Sequence, residues 1–139
     1  LGIVERKGNI KLFKLENVTN QSICMKVHDS VVIGTDIMTD EFKAYRGLKS
    51  FYNHQFIQHH SGQYVKGDVH TNTVEGFWSL LKRGIIGIYH SVSVKHLEKY
   101  LNEFVFRYNT KDYDEQSRFN YFLANINGRL SYEVLTKHV

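Results

Sequence analysis

Short apolar runs of strand length recur through the first 59 residues of this chain, and a second part, after residue 71, is dominated by apolar residues at helical spacing. Leu1–Glu5 and Ile10–Leu15 flank Lys7-Gly8-Asn9, where Gly8 and Asn9 carry turn chemistry, so the pair reads as a hairpin. Asn20 stands where an N-cap would open a helix to about Val32, with Ile23, Val27 and Val31 on one face. Thr35–Thr39 reads as a short buried strand, Glu41–Leu48 as a helix and Phe51–His59 as another strand. After a polar loop, His60–His70, a helix is expected up to a stop at Gly84–Gly87. Val94, Leu97, Tyr100, Leu101, Phe104, Val105 and Tyr108 then mark a long amphipathic helix, and Asp114–Ile126 and Ser131–Lys137 two more. The order predicts an α/β fold. With no proline, repeat or low-complexity stretch to mark a linker, residues 1–139 are expected to form a single domain.

Composition narrows the function less than the fold. The chain is 42% hydrophobic and 23% charged, the balance of a globular protein. No apolar run approaches the ~18 residues of a membrane span, and no signal-peptide pattern is visible. A net charge of +4, spread over both halves, permits phosphate contact without demonstrating it. The single cysteine, Cys24, excludes an internal disulfide and a cysteine-based zinc site. Eight histidines, among them His59, His60 and His70, have spacings that fit no common zinc site. The expected location is the cytoplasm.

Chemistry concentrates between His70 and Gly84. Glu75 and Lys82 lie seven residues apart on the expected helix, which places them on one face about 10 Å apart along the axis. Asp40 stands at the end of the Thr35–Thr39 strand segment, with a gap of 34 residues between it and Glu75. A carboxylate at a strand's end and another in a helix's first turn are placed to converge, as sites on α/β sheets do.

In combination these residues resemble the DDE transposases of bacterial insertion sequences, in the branch related to the eukaryotic Merlin elements. The resemblance rests on Leu1–Arg6, Thr39–Leu48, His70–Gly84 and Leu97–Asn109. It implies a ribonuclease H-like (retroviral-integrase-like) fold followed by C-terminal helices. It also implies DNA cleavage and strand transfer at transposon ends by a two-metal site with Mg²⁺ or Mn²⁺. Asp40 and Glu75 would be catalytic metal ligands, because such hard cations take oxygen donors. Lys82, Arg83, Asn72 and His70 would contact DNA. The family's first catalytic Asp lies on a central strand that should precede Leu1, so the chain reads as a core with its first strand missing, a DDE transposase expected to be nearly inactive on its own. Two unpaired strand edges are then expected. The implied partners are transposon-end and target DNA and further copies of the chain, a homo-oligomer on paired ends.

Each residue also has a local explanation. Asp40 could cap the Glu41–Leu48 helix, and Asn72 with Glu75 forms a capping-box pattern. That box explains neither Lys82 nor Gly76, where glycine costs ~1 kcal/mol relative to alanine. Close approach by DNA or a neighbouring strand would account for Gly76. Lys82 could be a solvated lysine favoured at a helix C-terminus. Trp78 reads as core, and Arg107-Tyr108-Asn109 as packing and C-terminal capping. A decayed or domesticated remnant, binding DNA or protein without cutting, is the alternative; a resolvase or another ribonuclease H-like nuclease is the third reading.

Overall fold

The computed structural model describes residues 1–57 and 71–126. The chain divides into two compact units, Leu1–Asn109 and Thr110–Val139.

In the first unit, β1 (Gly2–Val4) and β2 (Ile10–Leu12) form the expected antiparallel hairpin, with Ile3 opposite Lys11. The left-handed residue of its turn is Lys7 (φ 60°), not Gly8 or Asn9, and the Glu5 N–H donates to the Asn9 carbonyl to close it. Helix α1 spans Asn20–His28. Its N-cap is Thr19, which shares a capping box with Ser22. Asn20, expected to be the cap, instead donates its side-chain amide to the Ala44 carbonyl at 2.8 Å. The helix stops short of Val32, yet its inward face is the expected one: Ile23 and Val27 are buried and Val31 packs beside them.

Strand β3 (Asp36–Thr39) pairs in parallel with β4 (Asn53–Phe56). The intervening segment, expected to be a helix over Glu41–Leu48, is a 3₁₀ helix, Lys43–Ser50. Eight residues is long for this geometry. The Asn20 amide, by occupying the Ala44 carbonyl, competes with regular α-helical bonding there. Ile23, Val27, Leu48 and Tyr52 form one core, onto which Ile3 of β1 and Ile37 of β3 also pack.

Helix α2 (Asn72–Gly84) and helix α3 (Leu97–Asn109) build a second core around Ile10, Phe77, Leu81, Leu101 and Phe104. Trp78 packs against this core, as expected, and its ring lies over Gly2. Helix α2 ends at Gly84, where the expected stop begins, and the chain winds on as a π turn, Ile85–Tyr89, that ends at His90 (φ 59°). The bare Gly84 backbone accommodates the Phe104 ring. Tyr89 anchors the π turn by donating to the Glu103 carboxylate at 2.9 Å and stacking edge-on with Tyr100. Val94 lies outside α3 and is exposed, although the apolar spacing had included it.

In the second unit, α4 (Glu115–Ala124) is capped by Asp114, which accepts from the Ser117 backbone N–H and hydroxyl. The expected Ser131–Lys137 helix lies outside the described residues. The described residues are therefore mixed α/β, with two small sheets and several helices among them.

Candidate functional site

Asp40 is the first residue after β3, at the carboxyl end of that strand as expected. Its carboxylate accepts from the Phe42 N–H at 3.0 Å, turning the chain toward the 3₁₀ helix. The cap of that helix is Phe42 itself, so Asp40 serves the turn rather than acting as its N-cap. The Thr39 hydroxyl donates to the Asp40 carbonyl at 2.7 Å and lies 2.9 Å from His54 Nε2. With the hydroxyl proton committed to the carbonyl, the ring nitrogen is the donor, so His54 carries its proton on Nε2 when neutral. Burial, and secondarily the Lys49 charge, push the His54 pKa below the usual histidine value. Its Nδ1 is buried without a hydrogen-bond partner. Burial, and then the Asp40 charge, raise the Tyr45 pKa.

Asp40 and His54 open onto a cavity of about 390 Å³ that Phe42, Arg46, Lys49 and Phe56 also line. The spacing of charged residues did not reveal this group. The parallel register that sets His54 beside Ile37 is a long-range pairing, and only the Thr39-Asp40 step hinted at it.

Glu75 stands in the first turn of α2, as the sequence predicts, and is exposed. The helix begins one residue earlier than the capping-box pattern requires: the N-cap is Thr71, and no side chain caps the backbone there. The Thr71 hydroxyl donates instead to Glu75 Oε1 at 2.5 Å, which fixes the carboxylate on the outer surface of the first turn. Asn72, Lys82 and Arg83 are also exposed on α2, the two cations in its last turn. A Cβ at Gly76 would meet nothing within 4 Å, so no described strand packs against that glycine. His70 lies outside the described residues.

The carboxylates are carried by different cores. Asp40 follows a strand seated on the α1 core, whereas Glu75, Lys82 and Arg83 ride on the helix seated on the α3 core. Glu75 does not line the Asp40 cavity. Both acids offer the hard oxygen donors that Mg²⁺ or Mn²⁺ would take. Among the described residues, however, no three His, Cys, Asp or Glu side chains converge on one point, so these residues do not by themselves complete a metal centre.

A strand-end carboxylate and an exposed acid-and-lysine helix face thus stand on a small α/β scaffold. The comparisons define the class of protein. A family model for the ISXO2-like transposase domain matches residues 1–109, and the chain belongs to that family. The matched segment ends at Asn109, where the first compact unit ends. A protein of Halobacterium salinarum, described as an uncharacterized protein in transposable element ISH50, is 37% identical over 102 residues. That alignment covers 72% of this chain and 34% of the relative, so the chain spans about a third of the relative's length. No solved structure matches. Among the described residues, no helix is long and apolar enough to cross a membrane.

Proposed function

We propose that the chain contributes two carboxylates, Asp40 and Glu75, to a metal-dependent site that cleaves DNA and joins strands at the ends of a mobile element. The observation that carries this reading is the exposed face of α2, where Glu75 in the first turn and Lys82 in the last share one side of a helix in a transposase-family chain. Lys82 sits about 10 Å along the axis from Glu75, too far to share a ligand and well placed to hold a neighbouring phosphate, with Arg83 beside it. Thr71 orients the Glu75 carboxylate and the Phe42 N–H orients that of Asp40, so neither acid depends on DNA for its placement. A third ligand would come from outside the described residues. When bound, Mg²⁺ or Mn²⁺ supplies Lewis-acid activation of the phosphate and of the attacking oxygen. A ribonuclease H-like arrangement is supported by the β1 and β3 edges, which have no strand partner among the described residues. We infer that copies of the chain assemble on paired ends.

A second reading, DNA binding without cleavage, draws on the lack of a third converging ligand among the described residues. Mn²⁺-dependent nicking of a labelled element-end duplex separates the two, read beside binding of the same duplex. Under the first reading, Asp40→Asn and Glu75→Gln each lower nicking at least about 100-fold, the scale on which positioned catalytic groups act, with binding retained. Lys82→Ala weakens binding and flattens its salt dependence by about one unit of slope. The assay uses the chain extended upstream through the strand expected to carry the first Asp; tight binding by that protein with no nicking in Mn²⁺ would establish the second reading.

A further inference from the structure

We propose that the cavity beside Asp40 receives one unstacked nucleotide of a DNA strand, its base against Phe42 and Phe56 and its phosphate at Lys49 and Arg46. This inference rests on the reading of the chain as a DNA-processing protein and adds a site for the strand itself. Phe42 is 48% exposed and Phe56 43% exposed, so two large rings line one cavity with much of their surface open. Tyr45 meets Phe42 edge-on, with 5.8 Å between centroids, which occupies at most one face of the Phe42 ring. Lys49 Nζ lies 5.5 Å from the Phe56 ring centroid, and Arg46 lines the same cavity. A phenyl ring paired with a cation suits single-stranded nucleic acid: the ring takes any base by its π face while the cation takes the phosphate. A base inside a duplex has no open face to offer, so only a nucleotide that has left the stack can use these rings. Asp40 and Glu41, also at the cavity, repel a phosphate and direct it toward the Lys49 and Arg46 side. The volume, about 390 Å³, lies in the range of small-ligand sites.

The test is a titration of the full chain with a fluorescein-labelled hexathymidylate and with the same strand carrying abasic sites. Phe42→Ala and Phe56→Ala change half-exposed positions and leave the cores intact; Phe119→Ala on α4 serves as the control. Each cavity variant is expected to weaken hexathymidylate binding about tenfold, the scale of one base stacked on an aromatic ring, and Phe119→Ala to change nothing. Lys49→Gln should weaken both ligands equally, since it removes a phosphate contact. The base and ring effects should be non-additive: removing the bases should cost the wild type about what the Phe42→Ala, Phe56→Ala double variant costs, with little further loss on combining them. Unchanged affinity in the ring variants, additive losses, or no measurable hexathymidylate binding would overturn the inference. Nicking of the end duplex is a separate readout. If nicking persists while the titration fails, the cavity inference falls and the transposase reading stands.

Discussion

Asn109 binds back across 99 residues of sequence: its side-chain amide donates to the Ile10 carbonyl at 3.0 Å and accepts from the Ile10 N–H at 2.8 Å. Ile10 is fully buried. One amide thus does for the outer edge of β2 what a neighbouring strand would do, and it ties the hairpin to the end of α3. Alanine at this position would leave a buried donor and a buried acceptor unpaired. Asn109→Ala should therefore cost about 2–4 kcal/mol in urea unfolding. Asn109→Asp should also destabilise, because a carboxylate cannot donate to the Ile10 carbonyl. His54 makes a second test at this scale. Its folded pKa lies below its ordinary value, so the unfolded chain binds more protons as the pH falls through about 6.5. The stability contributed by neutral His54 is full above that pH and declines as the pH drops toward the folded pKa. The melting temperature should fall between pH 7.5 and 5.5, and His54→Gln should flatten that decline. An unchanged slope in the variant would show that other groups govern the pH dependence.

Two glycines on α2 have opposite surroundings, and the helix should report it. A Cβ at Gly76 meets open space, so Gly76→Ala should stabilise the fold by up to ~1 kcal/mol through helix propensity alone. A Cβ at Gly84 would overlap the Phe104 ring in the core, and overpacking of this kind costs about 1–3 kcal/mol. Gly84→Ala should therefore be neutral to destabilising despite the same gain in propensity. Equal effects at the two sites would remove packing as the reason for Gly84. Gly76→Ala should also weaken end-DNA binding if the bare backbone beside Glu75 exists for close approach. The elements that were legible in the sequence are those whose signal is local. The hairpin, the Ile23–Val27 face, the Thr35–Thr39 strand and the α2 and α3 faces each follow from spacing within one segment. Those misread depend on distant partners. Asn20 is drawn from the cap to the Ala44 carbonyl, and the Asn109 side chain reaches the Ile10 backbone, a partner its own helix gives no sign of. The candidate site divides the same way: Asp40 and Glu75 stand on the expected elements, while the rings and cations around Asp40 are assembled by a parallel pairing that no local pattern announces.

At the scale of the first unit, the two sheets leave strand edges that the hydrogen-bond pattern locates. Glu5 bonds to Asn9 and Phe13 to Leu1, so Ile3 and Lys11 bond between them and the Gly2 and Val4 backbone points away from β2. Asn53 donates to the Thr35 carbonyl and Ile57 to that of Thr39, which turns the Asp36 and Met38 backbone away from β4. Among the described residues neither outward row has a strand partner. Yet Ile3 and Ile37 pack onto one core, and the Arg6 guanidinium reaches the Met38 sulfur at 2.9 Å, so these edges belong to neighbouring parts of one body. Unpaired edges invite a further strand, and amide hydrogen exchange followed by NMR reads their state directly. The Val4 and Met38 amides should exchange more than about tenfold faster than those of Lys11 and Gln55, a factor equivalent to ~1.4 kcal/mol of hydrogen-bond protection. A strand added between β1 and β3, from whatever source, would slow Val4 and Met38 together while leaving Lys11 and Gln55 unchanged. Slow exchange at Val4 and Met38 in this chain alone would mean that its two sheets are already joined, and the open-edged arrangement would be wrong.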